Sequence, residues 1–221
     1  MDMMDRILRV YHVFPWLYAG QFLYARGDQV TEFVRSNRIK AILDLTRPGE
    51  QKAGGQRCDP YLHHLPEGIW HFRVASPNGE ALGFFDLLRC ALIISMCCVL
   101  RRRLYVHCHA GVGRTGSALL AGLILMGYGF EESRDWLQQQ RVGLCLDITG
   151  DLLGRTETKH GKPSPRKVPQ LQAVLDFYRW TARWIYPWKR SDANQKRWFV
   201  VKTDNGPEKG FQGRRFKWIQ Y

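Results

Sequence analysis

The chain has 221 residues, of which 45% are hydrophobic, and a formal net charge of +13. This length suits one domain with appendages, and the composition is ordinary for a globular protein with a sizeable core. Residues 87–100, the longest apolar stretch, contain Arg89 and fall short of the roughly twenty residues that a membrane-spanning helix needs. The first residues lack a signal-peptide pattern and the six cysteines lack framework spacing, so we expect a cytoplasmic protein with reduced thiols.

The first half of the chain alternates extended and helical patterns. Residues 10–18 indicate an opening extended segment, and Asp28 is placed to cap a helix with an apolar face. Residues 40–45 form an apolar strand that Pro48 and Gly49 end, and 49–68 resemble a loop. A short strand over 70–74 precedes apolar residues at helical spacing, and the arginines at 101–103 suit the C-terminus of that helix.

The second half continues the alternation. Residues 104–107 form a strand and 117–125 an apolar helix, and a further helix begins near Glu131 and ends near Arg141. Apolar positions three and four residues apart over 171–185 indicate a final amphipathic helix. This order predicts an α/β fold with a mainly parallel central sheet and helices on both faces.

One motif lies between the strand at 104–107 and the helix that follows it. Residues 106–116 read Val-His-Cys-His-Ala-Gly-Val-Gly-Arg-Thr-Gly, which places Cys108 six positions before Arg114. Such a segment can curl into one loop whose backbone N–H groups point inward at a tetrahedral anion. We therefore predict that the loop residues bind a phosphate group: His109, Ala110, Gly111, Val112 and Gly113.

The residue types in the motif suit the hydrolysis of phosphate monoesters. Inward N–H groups and the positive end of a helix favour a Cys108 thiolate, which would attack phosphorus and form a phosphocysteine. The Arg114 fork can bind two phosphate oxygens at once, and Thr115 is placed to donate a hydrogen bond to the sulfur. Gly111 and Gly113 can adopt positive φ.

Two other interpretations of the motif are weaker. Cys108 could simply be a buried cysteine at a strand end, but the glycines and the Arg-Thr-Gly sequence make a chance arrangement improbable. Zinc binding by His107, Cys108 and His109 is disfavoured because adjacent ligands cannot surround one tetrahedral ion. We expect no metal and no cofactor.

The motif resembles the signature of the cysteine-dependent protein tyrosine and dual-specificity phosphatases, in particular small bacterial members. Residues 16–20 and 42–50 are similar to the opening strand and the strand-turn of those proteins. Ser164-Pro165 followed by Gln170 is similar to an element whose glutamine helps place the hydrolytic water. The resemblance implies a catalytic domain over 1–187, with Gln170 in the substrate site. No tyrosine-recognition loop is evident, which favours a shallow pocket of the dual-specificity type.

The general acid of that family is not found. Relatives carry an aspartate about thirty residues before the cysteine, and it protonates the leaving oxygen. Ser76 stands at that position here. Glu80, Asp86, Asp147 and Asp151 are the carboxylates that could replace it, although Glu80 and Asp86 fit a helix N-terminus and a solvated helix face better.

Two segments extend beyond the predicted core. Residues 142–169 form a long polar loop that is expected to be mobile. Residues 188–221 form a basic, aromatic extension, which favours packing as a hairpin over binding of nucleic acid or an anionic membrane. The cysteines other than Cys108 are expected to be packing residues, and one of them could form a disulfide with an oxidised Cys108.

These features predict a phosphatase that acts on phosphotyrosine or mixed phosphoprotein substrates through a phosphocysteine. The absent aspartate leaves a second hypothesis, a catalytically weak phosphatase-like domain that binds phosphorylated partners. A third, a nucleic-acid-binding protein, rests on the net charge alone.

Overall fold

The computed structural model describes residues 10–23, 27–50, 60–141 and 170–187. In chain order the elements are β1 (Val10–Phe14), β2 (Leu17–Gln21), α1 (Gly27–Ser36), β3 (Ala41–Asp44), a 3₁₀ helix (Pro60–His64), β4 (Trp70–Arg73), α2 (Phe84–Val99), β5 (Leu104–Cys108), α3 (Gly113–Leu125), α4 (Phe130–Arg141) and α5 (Gln170–Trp184). The predicted alternation of strands and helices is confirmed. The extension after 187 and the predicted loop at 142–169 lie outside the described residues.

The strands form one five-stranded sheet in the order β1-β2-β5-β3-β4. Strands β2, β5, β3 and β4 are parallel, and β1 pairs antiparallel with β2 at the edge. The single extended segment predicted over 10–18 is therefore two strands. The sequence pattern hid this turn because apolar and aromatic residues continue through it.

Apolar side chains cover both faces of the sheet, as the mainly parallel prediction requires. On one face, Ile42 and Tyr105 pack with Val30 and Phe33 of α1. On the other face, Leu43 and Val106 pack with residues of α2, α3, α4 and α5. Two separate clusters of buried residues thus fix the orientation of every strand.

The helix boundaries depart from the sequence prediction at three places. Helix α1 begins at Gly27, so Asp28 lies inside it rather than before it. Helix α2 ends at Val99, and Arg101 has a φ of 52°, so the arginines at 101–103 follow the helix. Helix α3 begins at Gly113, which places Arg114 in its first turn.

The parallel strands end together at one edge of the sheet. The segments after β5, β3 and β4 are residues 109–112, 45–50 and 74–83. Because the carboxyl ends of parallel strands meet at the same edge, these segments converge there, where α/β proteins bind their ligands. None of the described helices is long and apolar enough to cross a membrane.

Candidate active site

Cys108 is the last residue of β5 and lies in the centre of this edge. Its side chain is buried, and its backbone is in register with Gln21 of β2. The next residue, His109, accepts a hydrogen bond on its carbonyl oxygen from Phe22 N at 3.2 Å. The chain then passes through Ala110, Gly111 and Val112 into α3, so the predicted order of strand, loop and helix is confirmed.

Gly111 is held tightly against the β1–β2 hairpin. Its φ is +73°, and a Cβ atom at this position would overlap the backbone of Gly20 and Gln21. The Tyr11 hydroxyl donates a hydrogen bond to the Gly111 carbonyl oxygen. Only glycine fits both the backbone conformation and the close approach, which fixes the curvature of the loop.

Gly113 has a different role from the one predicted. It begins α3 and is not among the positive-φ glycines, so a turn conformation does not explain it. A Cβ atom there would lie 2.5 Å from Gln170 Oε1. The glycine is required because the Gln170 side chain occupies the adjoining space.

The structure brings Gln170, the first residue of α5, to the loop. Its Nε2 donates to Glu80 O at 2.8 Å, which connects α5 to the segment after β4. Its Oε1 is buried and has no hydrogen-bond partner among the described residues. A buried acceptor without a partner is costly, so this oxygen is available to a donor that enters the site.

Arg114 is buried and lies at the centre of a dense set of acceptors. Its Nη1 donates to Leu45 O at 2.9 Å and to Ser76 O at 2.7 Å. Its Nη2 donates to Asn78 Oδ1 at 3.1 Å. The guanidinium therefore joins α3 to the segments that follow β3 and β4.

Glu50 completes this arrangement. Its two carboxylate oxygens accept from Arg114 Nη1 and Nη2 at 2.8 and 2.6 Å, and its Oε1 lies 3.6 Å from His109 Nδ1. Burial opposes ionisation of Glu50, but the hydrogen bonds and charge of Arg114 outweigh it, so its pKa is lowered. Glu50 is thus an ionised carboxylate at the edge of the loop.

Thr115 is buried in the first turn of α3. Its hydroxyl has no hydrogen-bond partner among the described residues, so the expected hydrogen bond to Cys108 Sγ is not formed in this structure. The residue lies in the predicted place, and its hydroxyl is free to rotate toward a new acceptor.

The segment after β4 brings Ser76, not a carboxylate, to Arg114. Ser76 is buried and contacts the guanidinium through its carbonyl oxygen. Glu80 is exposed, and Asp86 lies in α2 with its Oδ1 3.8 Å from Arg89 Nη1. Glu80 lies before α2 and Asp86 lies in its first turn, so the helix N-terminal position predicted for Glu80 is held by Asp86 instead. Asp147 and Asp151 lie outside the described residues.

Comparison with known proteins agrees with this geometry. A family model described as a polymorphic toxin system, DSP-PTPase phosphatase, matches residues 23–128. Over residues 23–128 the chain is therefore similar to the tyrosine and dual-specificity phosphatases. The matched region contains Cys108, Arg114 and Glu50, and so covers most of the candidate site.

Individual relatives of this phosphatase domain are distant. Protein tyrosine phosphatase domain-containing protein 1 from Bos taurus is 28% identical over 102 residues, which span 43% of this chain and 13% of the bovine protein. The crystal structure of Tk-PTP in the active form has a TM-score of 0.54 at 16% identity and covers 77% of this chain and 96% of that one.

Two further structures share the fold. PTPMT1 has a TM-score of 0.56 at 15% identity, covering 80% of this chain and 99% of that chain. The human tyrosine phosphatase-like serine/threonine/tyrosine-interacting protein has a TM-score of 0.53 at 13% identity, covering 80% and 97%. At these identities the matches establish an α/β phosphatase-like fold.

A polar network lies beneath residues 108–114, the segment that joins β5 to α3 and is called the phosphatase loop. The Asp44 carboxylate accepts from Thr46 N and Oγ1 at 2.8 and 2.6 Å and from Arg73 Nε and Nη2 at 3.0 and 2.7 Å. Burial opposes ionisation of Asp44, yet its neighbours His107, His71 and Thr46 hold its pKa well below the usual value. The carboxylate stays charged inside the domain.

His107 connects this network to Cys108. Its Nε2 lies 2.8 Å from the Tyr61 hydroxyl and 3.9 Å from Asp44 Oδ1. Complete burial lowers the pKa of His107 to about 4, although the charge of Asp44 opposes this shift. The residue before Cys108 is therefore a neutral imidazole at physiological pH.

Sequence reasoning did not identify Glu50, Asp44 or Tyr11 as residues of this phosphatase site. Glu50 follows a strand that ends at the same edge as β5, which is the signal that could have found it. The predicted packing role of the other described cysteines is consistent with their surroundings. Burial raises the pKa of Cys97 and Cys98 to about 11, so these thiols stay protonated. Cys58 and Cys145 lie outside the described residues.

Proposed function

We propose that this protein hydrolyses phosphomonoesters, with phosphotyrosine or mixed phosphoprotein substrates, through a phosphocysteine formed on Cys108. The observation that carries the proposal is the position of Cys108 and Arg114 at the two ends of one tight loop, at the carboxyl edge of a parallel sheet. The match of residues 23–128 to the phosphatase family model supports the same chemistry.

Each loop residue has a role in this proposal. The Cys108 thiolate attacks phosphorus, while backbone N–H groups from His109 to Gly113 and the N-terminus of α3 bind the phosphate oxygens. The Arg114 guanidinium stabilises the charge that spreads over those oxygens in the transition state. Thr115 then donates to the departing sulfur, and Gln170 Oε1 places the water that hydrolyses the phosphocysteine.

The decisive experiment is hydrolysis of p-nitrophenyl phosphate by the purified chain with a chelator present. We expect turnover that survives chelation and disappears in Cys108→Ser. Arg114→Lys should reduce kcat by about 10²-fold or more, because an ammonium cannot replace the bidentate fork. Turnover retained by Cys108→Ser would refute the phosphocysteine.

A second candidate is a phosphatase-like domain that binds phosphorylated partners with little turnover. The presence of Ser76 at the position of the family's acid favours it. This candidate predicts no turnover but measurable affinity for a phosphotyrosine peptide, which Arg114→Lys weakens. Isothermal titration of the unmodified and phosphorylated peptides separates the two candidates.

We further propose a cytoplasmic location, in which Cys108 would remain reduced. The partners are then phosphorylated proteins, and the basic extension after 187 contributes no more than a secondary contact with nucleic acid or an anionic membrane. Removal of residues 188–221 should leave p-nitrophenyl phosphate hydrolysis intact. The assignment of 1–187 as the catalytic domain fails if that truncation folds but is inactive.

A further inference from the structure

Residues 74–83, the segment after β4 in which the family carries its proton donor, hold one carboxylate, Glu80, which is exposed to solvent. The segment after β4 reaches Arg114 through the Ser76 carbonyl oxygen and the Asn78 amide oxygen. Neither side chain is an acid at neutral pH. An alkyl or phenyl leaving oxygen still requires a proton, because the bare oxyanion is a poor leaving group.

Glu50 and Asp44, the carboxylates that lie against the loop and beneath it, cannot supply this proton. Glu50 accepts both hydrogen bonds from the Arg114 fork, and Asp44 is buried beneath the loop with Arg73 and Thr46. Both carboxyl groups have lowered pKa values, so each is ionised at neutral pH. They can hold a cation but have no proton to give.

His109 is the titratable side chain that the loop itself carries next to Cys108. It is 20% exposed, and its Nδ1 lies 3.6 Å from Glu50 Oε1. An imidazole that faces a carboxylate is stabilised in its protonated form and held in one orientation. A thiolate on Cys108 would favour the imidazolium further, whereas the Arg114 charge on the far side of Glu50 opposes it.

We propose that His109, held by Glu50, donates the proton to the leaving oxygen in the absence of the family's aspartate. This inference rests on the proposed phosphatase function and concerns the donor only. His109 is then a catalytic residue and Glu50 a positioning residue that acts through it.

His109, Cys108 and the hydrolytic water account for every proton and bond in the two steps. In the first step the sulfur–phosphorus bond forms, the bond from phosphorus to the leaving oxygen breaks, and the His109 imidazolium gives its proton to that oxygen. In the second step neutral His109 takes a proton from a water molecule while the oxygen of that water bonds to phosphorus. The sulfur–phosphorus bond then breaks, which regenerates the thiolate and the imidazolium.

The test compares leaving groups in the full chain and in His109→Gln. With phenyl phosphate, we expect His109→Gln to lower kcat/KM, which reports formation of the phosphocysteine, by about 10²-fold and to remove the basic limb of the kcat/KM–pH profile. With 2,4-dinitrophenyl phosphate, whose leaving group needs no proton, the loss in kcat/KM should be below about 3-fold. His63→Gln, an exposed histidine of the 3₁₀ helix, is the matched control and should leave both substrates unaffected.

Two further measurements separate proton donation from a structural role. Imidazole added to His109→Ala should restore turnover of phenyl phosphate and have little effect on dinitrophenyl phosphate. Glu50→Gln should move the basic limb to lower pH, because the carboxylate that stabilises the imidazolium is gone. If the basic limb of the pH profile does not move in Glu50→Gln, Glu50 does not stabilise the His109 imidazolium.

The outcomes also separate this proposal from the proposed function. Cys108-dependent turnover of dinitrophenyl phosphate supports the phosphatase whatever His109 does, and its absence would refute the phosphatase and this proposal together. Equal losses of kcat/KM for both substrates in His109→Gln, with the basic limb retained, would overturn the assignment of His109 alone. The donor would then be sought among the carboxylates of 142–169, beginning with Asp147 and Asp151.

Discussion

Arg114 and Glu50 form a bidentate ion pair, with two nitrogen–oxygen distances of 2.8 and 2.6 Å. The side chains are 1% and 9% exposed, so water screens the pair little. Bidentate geometry fixes the plane of the guanidinium as well as its position. The orientation of Arg114 is therefore set by a residue that follows another strand.

Arg114→Met should destabilise the fold through the acceptors that it leaves behind. Glu50 and the carbonyl oxygens of Leu45 and Ser76 would lose a buried partner, so we expect the free energy of unfolding to fall by about 3 kcal/mol. Urea denaturation measures this loss. In Glu50→Gln, the same Arg114→Met change should cost about 1 kcal/mol less, because no unpaired carboxylate remains.

An exposed ion pair is the control for that measurement. Arg179 and Asp176 in α5 are 3.0 Å apart, with side chains 69% and 56% exposed. Arg179→Met should change the free energy of unfolding by about 0.5 kcal/mol or less, since surface pairs contribute little. Equal effects of Arg114→Met and Arg179→Met would show that burial of the active-site pair has no energetic consequence.

Gly111→Ala should be far more damaging than Gly79→Ala. The two glycines have φ values of +73° and +76°, so alanine is strained at both. A Cβ at Gly79 has no neighbour within 4 Å, whereas one at Gly111 overlaps the backbone of Gly20. We expect a loss of about 1 kcal/mol at Gly79 and about 3 kcal/mol at Gly111 in thermal unfolding. Similar losses would refute the close approach of the loop to β2.

The effect of Gly113→Ala on the free energy of unfolding should depend on which residue occupies position 170. Its Cβ would displace the Gln170 side chain, so we expect a loss of about 1 kcal/mol in the unaltered chain. In a Gln170→Ala background the space is open, and alanine near the start of α3 should be neutral or stabilising. Thermal unfolding of the four proteins tests this coupling. Additive effects would mean that the two side chains do not compete for space.

The stability of the domain should decline as the pH falls from about 6.5 towards 4. The pKa of His107 is lowered from 6.5 to about 4, so between these values the unfolded chain binds the proton and the folded chain does not. Stability is therefore complete above about pH 6.5 and falls as the pH approaches 4, by about 3 kcal/mol in total.

Urea denaturation between pH 7.5 and 4 measures this decline, and His107→Asn should flatten the slope over the same interval. His63→Asn is the control, because that exposed side chain lies outside the buried network. An unchanged slope in His107→Asn would assign the acid sensitivity to other groups.

The sequence predicted the fold where local pattern determines structure. The apolar strands at 41–44 and 104–108 and the amphipathic helix at 170–184 agree with their predictions within a few residues, because burial on a defined face leaves a periodic signal. The motif likewise predicted the loop from Cys108 to Arg114. The turn between β1 and β2 was missed because Pro15 and Trp16 lie within an apolar run that has no glycine or asparagine.

The remainder of the site depends on contacts that local pattern does not encode. Glu50 looked like an ordinary loop carboxylate, and only the order of strands in the sheet brings it to Arg114. Gly113 was assigned to a turn, although the side chain that explains it comes from α5. Resemblance to the phosphatases placed Gln170 correctly because a family motif carries tertiary information that spacing lacks.

The acceptors of Arg114 also bear on when the candidate site assembles during synthesis. They lie 69, 64, 38 and 36 residues earlier in the chain, at Leu45, Glu50, Ser76 and Asn78. Each contact closes a long loop, and long-range contacts of this kind form only when most of the sheet is in place. While Arg114 is still inside the ribosome, the acceptors that have already emerged lack their partner. The candidate site is therefore complete only after the segments that follow β3 and β4 have packed against the start of α3.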